Sequence, residues 1–107
     1  MNGLLTKNLV RKLPQLYETE DVPTENKVAV AKFFHPASNW TWYVIEYDGK
    51  DTCWGLVSGH EVEFGYFSLS ELSSIEHPAG ITIERDIFFR PTNVSELAVF
   101  GRGGAVF

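Results

Sequence analysis

The sequence predicts an α+β domain: a four- to five-stranded, mostly antiparallel meander sheet with a short N-terminal helix and a short helix after strand 4. Three observations predict it. The run Phe64-Gly65-Tyr66-Phe67-Ser68-Leu69-Ser70-Glu71-Leu72 passes from strand-like aromatics into a helix start, with Ser68 as N-cap and Glu71 three residues on. That spacing is a capping box, in which each side chain satisfies a backbone N–H left open at the helix end. Asp48-Gly49, between two alternating stretches, is the strongest hairpin signal in the chain. Short connections leave no space for the crossovers that parallel strands require.

Taken in order, Thr6 caps a helix that runs to about Leu13, within an N-terminal helical region over 1–17. Leu9, Leu13, Leu16 and Tyr17 give it an apolar stripe, and Pro14 discourages a long continuation. Residues 18–26 are acidic and aperiodic, hence a loop. The sheet with its helix occupies 27–91. Lys27 to Phe34 reads as the first strand, stopped by His35-Pro36. Thr41 to Tyr47 alternates, with Trp42, Val44 and Glu46 on one face and Tyr43, Ile45 and Tyr47 on the other. Thr52 to Val57 returns antiparallel, Gly59 permits a turn, and Glu61 to Phe67 makes the fourth strand. A helix over 69–75 ends at His77-Pro78, and Ile83 to Arg90 supplies a fifth strand before Pro91. Residues 92–107 read as a flexible C-terminal tail, holding at most one helical turn before Gly101-Arg102-Gly103-Gly104.

Composition bounds function. A chain of 107 residues with 44% apolar and 14% aromatic content is one domain, 1–107, with material for a real core. No apolar run is long enough for a membrane span, and the N-terminus lacks a signal-peptide core, so a cytoplasmic location follows by default. Cys53 stands alone, which excludes a disulfide framework or a cysteine metal cluster. No cofactor motif is present. The net charge is −5, and from Leu13 to Gly101 there are 14 acids against 5 bases. Such a chain is not built to neutralise phosphates, which argues against direct nucleic-acid binding. Its field suits a protein partner with a basic surface, although solubility alone would also account for the charge.

Several segments together carry a family resemblance: Leu13-Pro14-Gln15-Leu16-Tyr17, Lys32-Phe33-Phe34, Trp40-Thr41-Trp42-Tyr43, Glu46-Tyr47-Asp48-Gly49, Gly55-Leu56-Val57, the Phe64–Leu72 junction, and Glu84-Arg85-Asp86-Ile87-Phe88-Phe89-Arg90-Pro91. The chain resembles a family of small uncharacterised bacterial proteins encoded mainly on plasmids, phages and integrated mobile elements. The match runs to about Pro91 and leaves the end beyond Asn93 outside. The resemblance implies no activity and no catalytic residues. It implies a setting: accessory proteins that help mobile DNA persist in a host.

Candidate chemistry is sparse. At His60-Glu61-Val62-Glu63 a strand places Glu61 and Glu63 on one face, a pair that could bind a divalent cation or work as acid and base. With His77 these residues form the catalytic alternative, a small metal-assisted hydrolase or nuclease. His35, His60 and His77 each stand beside a turn, and a metal site would need the sheet to bring them together. No metal ligand set is assigned. Cys53 lies mid-strand, as a packed thiol does, and Ser58-Gly59-His60 lacks a third orienting group. Asp48 and Gly49 have turn roles, Ser68 and Glu71 capping roles, and Asp51 reads as solvated. Glu46, Asp48 and Asp51 could form an acidic rim near Trp54, and Arg85 could pair with Glu46 or Glu71.

The aromatics argue for binding. Two helices cover one face of a sheet, so Trp40, Trp42, Tyr43, Tyr47, Trp54 and Tyr66 include candidates for an exposed aromatic surface. The alternative is cross-strand packing with both faces partly covered. The leading reading is a non-enzymatic protein-binding module from a mobile element, an antagonist of a host DNA-targeting defence system being one form of it. A homodimer through an exposed edge or face is compatible with this reading.

Overall fold

A computed structural model describes residues 3–100 of the chain. Thr6 opens helix α1 (Lys7–Lys12), its hydroxyl accepting from the Leu9 N–H at 3.2 Å. Pro14 enforces the stop, so the stripe expected to reach Tyr17 ends at Leu13. The acidic loop holds one 3-10 turn (Thr24–Asn26). The first strand divides into β1 (Val28–Ala29) and β2 (Ala31–Phe34) around Val30, whose N–H still reaches the Val44 carbonyl at 2.8 Å. Then follow β3 (Thr41–Tyr47), β4 (Thr52–Ser58), β5 (Val62–Ser68), helix α2 (Leu69–Ser74), β6 (Glu84–Arg85) and β7 (Thr92–Asn93). The main sheet has the order β5-β4-β3-β2-β6, every pairing antiparallel, and β1 pairs with β7 in a separate ribbon. The α+β meander expected from sequence is the fold observed, with the second helix following β5, since the predicted first strand divides in two.

One register detail reorganises the faces. The β3–β4 ladder pairs Val44 with Gly55 and then Glu46 with Trp54, leaving Ile45 as an extra residue in a β-bulge. Before the bulge the predicted alternation is kept. Beyond it the faces exchange: Tyr47 joins Trp42 and Val44, while Glu46 turns to the face of Tyr43 and Trp54. The expectation that Tyr43 and Tyr47 share a face is therefore wrong.

Both faces are covered. On one, Leu4, Leu5, Leu69, Leu72 and Ile83 pack on Ala31, Phe33, Trp42, Val44, Tyr47 and Cys53. On the other, Val94 and Leu97 lie against Tyr43, Ile45, Leu56 and Val62, with Phe89, Val99 and Phe100 alongside. The flexible tail expected over 92–107 is thus corrected for 92–100. Thr92-Asn93 is a strand, a 3-10 turn follows over Val94–Glu96, and Val94 is fully buried, a placement that contributes about 1.5–3 kcal/mol. The Gly101–Gly104 segment lies outside the described residues.

The predicted fifth strand shrinks to β6, because Asp86 folds the chain back. Its N–H donates to the Lys32 carbonyl at 2.9 Å, its Oδ1 accepts from the Phe88 N–H at 2.9 Å, and its carboxylate lies 3.8 Å from Lys32 Nζ. Arg85 donates to the Leu4 carbonyl at 3.0 Å, in place of the ion pair expected with Glu46 or Glu71.

Candidate functional site

The bulge builds the site. By turning Glu46 toward Trp54 it sets a carboxylate beneath the acidic loop, and three donors, from Tyr17 just before that loop and Thr19 within it, converge on it. The Tyr17 N–H reaches Oε1 at 2.8 Å, the Thr19 N–H reaches Oε2 at 3.0 Å, and the Thr19 hydroxyl also donates to Oε2. Glu46 is 4% exposed. Hydrogen bonds to a charged acceptor contribute about 1.5–3 kcal/mol each, which offsets taking the carboxylate out of water. Lys27, also buried, donates to the Thr19 carbonyl and lies 3.4 Å from the Thr19 hydroxyl. Loop and sheet are thereby locked together.

Above this lock opens a cleft of about 340 Å³, lined by Tyr17, Glu20, Thr24, Lys27, Glu46, Trp54, Phe64 and Tyr66. Trp54 and Phe64 stack with centroids 5.1 Å apart and planes 10° from parallel, and Lys27 Nζ lies 5.5 Å over the Trp54 ring. Tyr17 and Tyr66 face one another at 6.5 Å, and remain 60% and 55% exposed. Tyr17 has φ 70°, the one non-glycine residue among those described in the left-handed region. For a bulky side chain that conformation costs about 1–2 kcal/mol. A hydrogen bond with Tyr17, then burial, then the charges of Tyr17, Glu46 and Glu20 push the Tyr66 hydroxyl above its ordinary value.

The residues singled out from sequence fall in three places. Trp54 and Tyr66 enter the cleft. Trp42, Tyr43 and Tyr47 are core residues, divided between the two faces. Trp40 stacks on Trp42 at 5.9 Å and lies over Gly59, with His60 edge-on at 5.5 Å. His35 and His77 do approach, with centroids 5.7 Å apart, but each Nδ1 accepts a backbone N–H from its own turn, Ala37 and Ala79. Glu61 and Glu63 are exposed. Among the described residues no three His, Cys, Asp or Glu side chains gather as metal ligands would. Cys53 is fully buried, and burial first, with Asp48 and Asp51 adding, pushes its thiol up to about 12, which disfavours the thiolate a nucleophile needs.

The turn and cap residues act together. Asp48 Oδ1 accepts the N–H groups of Lys50, Asp51 and Thr52, and Gly49 takes φ 84°. Ser68 accepts the Glu71 N–H at 3.3 Å, the forward half of the capping box. Asp51, expected to be solvated, reaches across from the hairpin. It accepts the Ser70 N–H at 2.8 Å, the Ser70 hydroxyl at 2.8 Å and the Ser68 hydroxyl. The acidic rim therefore reduces to Glu46, since Asp48 and Asp51 serve the hairpin and helix. Tyr17, Glu20, Thr24 and Lys27 were missed as site residues. A lysine and a glutamate bordering strands rich in apolar residues were the available signal.

Fold and site together define a small α+β protein with an acidic, aromatic cleft. A family model described as Protein of unknown function (DUF2958) matches residues 4–102, and the chain belongs to that family. The match runs past Pro91, so the C-terminal segment is part of the family's domain. No curated protein and no solved structure matches the chain. No helix among the described residues is long and apolar enough to cross a membrane.

Proposed function

We propose that this chain is a non-enzymatic protein-binding module whose working surface is the acidic, aromatic cleft, and that its partner presents a basic surface. The observation that carries the reading is Tyr17: a bulky residue kept in a strained backbone conformation, with its ring exposed opposite Tyr66. Strain retained at an exposed aromatic calls for a functional account, since glycine would relieve it. The loop beside the cleft, residues 18–26, carries Glu18, Glu20, Asp21 and Glu25 and no base, a charge that steers a basic partner toward the aromatics.

The resemblance to proteins of mobile elements extends the reading. In this form the chain is an accessory protein of mobile DNA that occupies the phosphate-binding surface of a host DNA-targeting defence protein. The metal-assisted alternative at His60, Glu61, Glu63 and His77 draws no support from their placement. The test is capture of host proteins on the intact chain and on a Tyr17→Ala/Tyr66→Ala variant, alongside phage and plasmid survival. The expected outcome is one specific basic partner and a survival advantage, both lost in the variant. Loss of neither would contradict the proposal.

A further inference from the structure

We infer that the cleft is a receptor for a single cationic side chain, arginine or lysine, lying against the exposed surfaces of the Tyr17 and Tyr66 rings and paired with the Glu20 carboxylate. The inference rests on the protein-binding reading above and names what the partner inserts. Aromatic faces attract cations through their negative quadrupole, and the protein's own Lys27 already places an ammonium over Trp54 at 5.5 Å. That ring is taken, with Phe64 stacked against it. Tyr17 and Tyr66 are the most exposed of the cleft rings, in contact with one another at a 60° tilt and 6.5 Å between centroids.

Charge selects the ligand class. Two carboxylates, Glu20 and Glu46, stand against one ammonium, Lys27, leaving one negative charge in the lining. Glu46 accepts three hydrogen bonds from Tyr17 and Thr19, and Lys27 is engaged with Thr19. Glu20 is exposed and free to meet a ligand's charge from the rim. An anion would be repelled here, and a neutral apolar group would desolvate Glu20 without compensating it. A guanidinium or ammonium satisfies both the rings and the carboxylate. About 340 Å³ is at the small end of ligand-pocket volumes and suits one side chain rather than a strand or helix.

The test is calorimetric titration of the full chain with three blocked pentapeptides, whose central residue is arginine, lysine or citrulline, the last keeping arginine's shape without its charge. The arginine and lysine peptides are expected to bind, the citrulline peptide at least about tenfold more weakly. Glu20→Gln and Tyr66→Ala, both at exposed side chains, weaken binding by about fivefold and about tenfold. Equal affinity for citrulline, or binding unchanged in both variants, overturns the inference. If no peptide binds while partner capture still depends on Tyr17 and Tyr66, the cationic ligand is wrong and the protein-binding reading stands. If capture is also indifferent to those residues, both fall.

Discussion

Tyr17 holds φ 70° because Glu46 accepts its N–H, so strain in the loop is maintained by an acid on the sheet. Replacing it with glycine removes the steric conflict and keeps that hydrogen bond. Tyr17→Gly is expected to raise stability by about 1 kcal/mol in urea unfolding while weakening partner binding, and the opposite signs separate a functional ring from a structural one. Asp51 gives a second residue-level expectation. The Ser68 and Ser70 side chains, then the Ser70 N–H, hold its carboxyl below the ordinary value. Its contribution to stability is therefore complete above the unfolded-state carboxyl value and disappears as pH falls through the lower folded-state value. Urea unfolding of the chain and of Asp51→Asn across that range should give a stability difference that shrinks with acidification. A difference independent of pH would contradict the role given to its charge. Asp51 was missed from sequence as a cap because its partners lie seventeen and nineteen residues away.

Among elements, the hairpin of β3 and β4 carries the most consequence, since the bulge at Ile45 turns Glu46 into the cleft and Tyr47 into the core. Perfect alternation of Trp42, Val44 and Glu46 conceals it: a bulge depends on the partner strand's register, which single-strand periodicity does not carry. Gly55 marks the place. A Cβ there would lie 1.8 Å from the Tyr43 carbonyl oxygen, whereas at Gly65, its partner across β4 and β5, nothing lies within 4 Å. Gly55→Ala is expected to cost about 3 kcal/mol or to prevent folding, and Gly65→Ala to change stability by no more than about 1 kcal/mol, measured by thermal or urea unfolding. Helix starts at Thr6 and Ser68 were legible because capping is local. The split between β1 and β2 was not, because β1 is drawn off by β7 more than sixty residues later.

For the molecule as a whole, the meander follows from alternating strands and short turns, and the cleft from contacts that no local pattern announces. Trp54 and Tyr66 were recognisable as aromatic surface, yet Tyr17 and Lys27 reach them only because the acidic loop folds back onto Glu46. The second sheet face, expected to be an exposed aromatic surface, is largely closed by Val94, Leu97 and their neighbours, which confines accessible aromatic surface on that face to the cleft end. The proposed function is placed at that end. The central claim is that this place meets a basic segment of a protein partner. A photo-crosslinking amino acid at position 66, with position 73 on α2 as the control, tests it in host cells. The account predicts a crosslink specific to position 66 that maps by mass spectrometry to an arginine- or lysine-containing segment of one protein. Crosslinks equal at both positions, or mapping to segments without a basic residue, would contradict it.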